Sequence, residues 1–135
     1  MKPFVLDKSM LTLRGVFYPT GHVVLMVPSQ EDAKNASKAL RDHGVSPDNM
    51  SFLPPDVLMG EIAHTVGSAD SPMPSVGTEA DTVRKLVALA ALGHWGLLVY
   101  APHAKDSDSM VDWLRGVPVV YAQKYRHLVI EDIVV

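Results

Sequence analysis

The sequence predicts an α+β fold built from two strand–helix–strand units of like design. Two continuous apolar runs, at 22–27 (His-Val-Val-Leu-Met-Val) and 95–101 (Trp-Gly-Leu-Leu-Val-Tyr-Ala), read as strands buried on both faces. A proline follows the first run and closes on the end of the second, and a helix start stands behind each: Val27-Pro28-Ser29 and Ala101-Pro102-His103. Both helices then close in Gly-Val, at 44–45 and 116–117, and the same spacing separates Pro28 from Leu40 and Pro102 from Leu114.

Taken in order, residues 10–28 read as a β-hairpin. The β-prone runs 10–18 and 22–27 flank Pro19-Thr20-Gly21, which supplies turn chemistry. Ser29 is placed to cap a helix whose first turn carries Glu31 and Asp32, with Ala33, Ala36, Ala39 and Leu40 on a narrow inner face ending at Gly44. Residues 50–53 form a short strand closed by Pro54-Pro55. Asp56 is expected to cap a second helix through about Val66, with Val57, Leu58, Ile62 and Val66 on one side. The Ser-, Pro- and Gly-rich stretch 67–77 reads as an exposed loop. Thr78-Glu79-Ala80-Asp81 resembles a capping box and opens a helix running to Leu92, ended by Gly93. Ser107 or Asp106 is expected to cap the helix carrying Met110, Val111 and Leu114, and residues 117–125 and 128–135 read as strands. Two strand–helix–strand halves in one small chain are the signature of a ferredoxin-like split βαβ sandwich, here with an added N-terminal hairpin strand and extra helices. The 135 residues suit a single domain.

Composition narrows the function classes. Apolar residues make up 47% and charged residues 20%, the balance of a globular chain. The net charge of −3 comes with no strongly basic segment, so a nucleic-acid partner is not expected. Without cysteine there is no disulfide, thiolate nucleophile, Cys-ligated zinc or iron–sulfur cluster. The apolar stretch 86–101 is broken by Gly93-His94-Trp95-Gly96, which favours a buried helix feeding a buried strand over a membrane span. The first eight residues hold no apolar run of signal-peptide length, and the expected setting is the cytoplasm.

Six histidines are present, without a His-x3-His or His-Glu-x-x-His pair. Glu61 and His64 have the Glu-x-x-His spacing of di-iron helices, yet no partner motif accompanies them. No metal or cofactor is therefore expected. P-loop, Gly-x-Gly-x-x-Gly and Gly-x-Ser-x-Gly patterns are absent. The ends of the two apolar strands are the better place for a ligand. If the halves match, Pro28-Ser29 and Pro102-His103 lie near each other, with helix N-termini that favour anions. Glu31, Asp32, Asp106 and Asp108 already bring negative charge there. Tyr121, Tyr125 and His127 share one strand face if the strand is unbroken. That face can line a pocket, form a cross-strand cluster or seat a second subunit. The candidate ligand-binding residues are thus Ser29, His94, His103, Tyr125 and His127. Arg14-Gly15-Val16-Phe17-Tyr18 resembles the basic-Gly-aromatic strand of RNA-recognition domains, against packing of Phe17 or Tyr18 on a helix or a partner subunit.

Several segments are similar to a group of uncharacterised proteobacterial proteins: Tyr18-Pro19-Thr20-Gly21-His22, Leu40-Arg41-Asp42-His43-Gly44, Gly93-His94, Ala101-Pro102 and residues 125–132. Residues 22–55 more distantly resemble bacterial general-stress-protein (YflT-like) domains. The resemblance implies the fold and a bacterial cytoplasmic origin, and assigns no functional residue. The leading expectation is a non-catalytic homodimeric module for small-molecule sensing or stress response, the second copy covering the apolar C-terminal strand. The alternatives are a dimeric enzyme using His103, His94 or Tyr125 as acid–base group, and RNA binding through the sheet face.

Overall fold

The computed structural model describes residues 1–12, 15–66, 78–126 and 129–133. The loop expected at 67–77, Arg14 of the RNA-like segment, His127, Leu128 and the last two residues lie outside them, as do the side chains of residues 129–132.

Five strands form one antiparallel sheet: β1 (His22–Val27), β2 (Met50–Leu53), β3 (Trp95–Tyr100), β4 (Tyr121–Arg126) and β5 (Val129–Asp132), in the spatial order β2-β3-β1-β4-β5. Helix α1 (Gln30–Asp42) joins β1 to β2, and helix α4 (Ala104–Trp113) joins β3 to β4. Between β2 and β3 the chain forms α2 (Pro55–Val57), continues through a π-helical turn (Leu58–Ile62) and a 3-10 turn (Ala63–Val66), and later forms α3 (Thr78–Ala91). The two expected apolar strands are direct neighbours, with His22 opposite Tyr100 and Val27 opposite Trp95.

Their apolar runs follow from the layers on both sides of the sheet. Val23, Leu25, Leu97 and Val99 face α1 and α4, meeting Ala36, Leu40, Met110 and Leu114. Val24, Met26 and Leu98 face the other way, onto Leu58, Ile62, Val83, Leu86 and Ala90. Period-2 alternation therefore buries Val23 to Val27 in the first run and Gly96 to Val99 in the second. Each large aliphatic side chain withdrawn in this way contributes about 1.5–3 kcal/mol. Ser29 caps α1 as its position predicts, its Oγ accepting from the Asp32 amide at 3.1 Å. Val45 donates to Leu40 O at 3.0 Å to close the helix at Gly44.

Three expectations are corrected. The described residues of 10–18 add no strand to the sheet. Both sides of β1 are taken by β3 and β4, and the segment instead folds on itself through a single bridge between Leu11 and Phe17. Phe17 is fully buried, and its amide donates to Thr65 Oγ1 at 3.0 Å. Phe4, Leu6 and Met10 join it over the α3 face, and the Lys2 amide donates to Met50 O at 3.2 Å on edge strand β2. The N-cap of the second helix is Pro54 rather than Asp56; Pro55 presets the first helical φ angle and no side chain caps the helix. The N-cap of α4 is His103, about a turn before the expected caps. Ser107 is consequently an interior helical residue, buried, with its hydroxyl donating to Ala104 O at 3.0 Å.

Among the described residues, no helix is long and apolar enough to cross a membrane. Among the described residues, side chains pack on both faces of β1 and β3, and Phe17 is fully buried.

Candidate functional site

Antiparallel pairing of β1 with β3 divides the expected site between two ends of the sheet. Pro28 follows Val27, which sits opposite Trp95; Pro102 lies beyond Tyr100, which sits opposite His22. Ser29 and His103 are therefore a strand length apart, roughly 20 Å at about 3.3 Å per residue. The expectation that they lie together is corrected by strand direction, which apolar runs do not encode.

At the Pro28 end, Ser29 is engaged in capping, with its hydroxyl also donating to Asp32 Oδ2 at 2.8 Å. His94 follows the end of α3, half-buried, and its Nδ1 meets no partner among the described residues. At the Pro102 end, His103 is exposed and its side chain makes no capping bond to α4. Tyr125 is fully buried, with its ring edge-on to Phe17 and Tyr18 at centroid distances of 6.2 and 5.1 Å. Its hydroxyl has no hydrogen-bond partner among the described residues, and burial, then Tyr121 and Tyr18, push its pKa far up. Tyr125 and Tyr121 do share the α3 face, as the strand spacing predicts. His127 lies outside the described residues. Glu61 and His64 are both exposed, and no three potential metal ligands gather among the described residues.

The Pro102 end holds an open cavity of about 380 Å³, with Gly21, Tyr100, Pro102, Ala104, Lys124 and Arg126 in its wall and Tyr125 alongside. Gly21 makes this corner possible. Its amide donates to Tyr125 O at 2.7 Å, and its carbonyl accepts from the Ala101 amide at 2.8 Å, so one residue ties β3 and β4 together. It does so at φ +81°, and a Cβ there would meet Tyr100 Cε1 at 3.1 Å. Tyr100 stays 45% exposed and packs against the His22 ring at a centroid distance of 5.0 Å. Burial holds His22 below its ordinary value, opposed by its bonds with the carbonyls of Thr20 and Pro19.

Lys124 is the residue that sequence reading passed over. It sits opposite Val23 on β1, so it points into the α1–α4 layer, and it is only 5% exposed. Its ammonium donates to the Ser107 hydroxyl in the first turns of α4. The only trace in the sequence is a lysine in the inward register of Ala122, recognisable once β4 is known to be an interior strand.

No family model, no curated protein and no solved structure matches this chain.

Proposed function

We propose that this protein is a non-catalytic, homodimeric module on a ferredoxin-like frame, binding a small molecule in the cavity at the Pro102 end of the sheet. The observation that carries the reading is that cavity of about 380 Å³, walled by Tyr100, Pro102, Ala104 and the buried Lys124. It joins apolar wall to a few convergent polar groups, as ligand sites do. Binding rather than catalysis is supported by the scatter of the titratable groups. Ser29 and His94 belong to the far end, His103 is exposed, and the Tyr125 hydroxyl is enclosed in the opposite core layer. Acid–base chemistry needs such groups within hydrogen-bond reach of one reacting centre.

Support for the ferredoxin-like frame is the order β2-β3-β1-β4, in which each strand–helix–strand unit leaves a gap filled by the first strand of the other. Residues 55–91 and β5 are additions to that frame. Support for the homodimer is β5, which occupies a sheet edge and leaves one row of backbone groups able to pair with a second copy. A stress-related role in a bacterial cytoplasm is the setting implied by the family resemblance.

Two measurements test the reading. Light scattering at micromolar concentration is expected to return twice the chain mass of 14.7 kDa; a monomer overturns the dimer. Ligand-observed NMR with a set of uncharged fragments is expected to find binders that Ala104→Trp displaces by filling the cavity. Binding indifferent to that substitution overturns the assigned site.

A further inference from the structure

We infer that the ligand of this cavity is an oxyanion, a phosphate or carboxylate group received by Lys124 and the first turn of α4. The inference rests on the binding reading above and names the chemistry of the occupant. Three observations meet at one place. Lys124 lines the cavity and is only 5% exposed, and among the described side chains its ammonium meets the neutral Ser107 hydroxyl rather than a carboxylate. An isolated ammonium withdrawn from water is costly unless a counter-charge arrives. Ser107 fixes that ammonium against the first turn of α4, and Ala104 of the same turn lines the cavity. A helix N-terminus is partly positive, so a cation is the unfavourable occupant there and an anion the favourable one. The N-cap His103 offers no side-chain acceptor to this turn.

The acidic residues of α4 do not cancel this arrangement within the cavity. Asp106 lines a neighbouring cavity with His43 and Trp113, and Asp112 pairs with Arg115 at 3.0 Å. Asp108 is exposed. On β5 the register partner of Lys124 is Glu131, and it enters the test for that reason.

The experiment is a thermal-shift and calorimetric titration of the full chain with inorganic phosphate, and separately with acetate, at constant ionic strength set by chloride. Wild type is compared with Lys124→Met, Glu131→Gln and the distant control Arg115→Met. Wild type and Arg115→Met are expected to gain stability as either anion rises, by mass action on the folded state. Lys124→Met is expected to bind at least tenfold more weakly. In chloride alone it should melt no lower than wild type, because methionine keeps the stem packing and removes the enclosed charge. The two anions separate the sources: phosphate alone marks a phosphoryl ligand, and both together mark carboxylates as well. Equal anion response in wild type and Lys124→Met overturns the inference. So does anion binding that emerges only in Glu131→Gln, which would make Glu131 the resident counter-charge. If neither anion binds while uncharged fragments remain sensitive to Ala104→Trp, the oxyanion assignment falls and the binding module stands. If fragments fail as well, both fall.

Discussion

Gly96→Ala probes the centre of the sheet. Gly96 lies on β3 between Met26 of β1 and Leu53 of β2. A Cβ at that position would stand 2.9 Å from Leu53 Cβ, 3.2 Å from Leu53 Cδ1 and 3.2 Å from Met26 Sδ. The methionine sulfur can swing aside, but Leu53 Cβ is fixed to its backbone, so β2 must move. Overpacking of this kind costs about 1–3 kcal/mol. Replacing a strand glycine returns about 0.5–1 kcal/mol through the unfolded chain. The net expectation is a loss of about 1–2 kcal/mol, or a Tm lower by about 4–8 °C for a chain of this size. Urea denaturation followed by tryptophan fluorescence, with thermal melts by circular dichroism, measures it. Gly60→Ala is the control, since a Cβ there has nothing within 4 Å, and it should be neutral or slightly stabilising. A Gly96→Ala protein as stable as wild type would refute the wedge between Leu53 and Met26, and with it the β2-β3-β1 register.

Tyr125→Phe removes a hydroxyl without a partner and keeps the ring packing, so stability should hold or rise by about 1 kcal/mol, where an ordinary buried hydroxyl would cost about that much; a clear loss in urea melts would reveal a partner outside the described residues. Ser29→Ala deletes the cap of α1 and should cost about 1 kcal/mol by the same melts; no loss would mean that the Asp32 amide is satisfied without it. Burial lowers the pKa of His22 in the fold, so the unfolded chain binds the proton more readily. The stability tied to neutral His22 is therefore complete above the unfolded value near 6.5 and is lost as pH falls through the folded value. Urea midpoints between pH 8 and 5 should fall less steeply in His22→Gln than in wild type, and parallel profiles would contradict the assignment.

What the sequence made legible was whatever follows from burial and local chemistry. The runs at β1 and β3 stand out because helices cover both faces of the sheet. Ser29 and the 50–53 strand were readable because capping and proline punctuation act within a few residues. Strand direction was not readable. Matching halves look as though they place Pro28 beside Pro102, but the β1–β3 pairing is antiparallel and sends them to opposite ends. The segment 10–18 has β-prone residues, yet β1 had two stronger neighbours, and Phe17 gained more from the core than from a ladder. Lys124 escaped notice for a related reason. Its inward direction depends on β4 lying between β1 and β5, a long-range fact that no local pattern around Tyr121 and Arg126 announces.

Backbone amide spectra of the full chain, recorded while inorganic phosphate is added at fixed ionic strength, address the placement of the site most directly. The resonances expected to move are those of Gly21, Ala104, Lys105, Lys124 and Arg126, converging on one saturable curve. Shifts gathered instead around Ser29 and His94, or no saturable shift anywhere, would contradict the account.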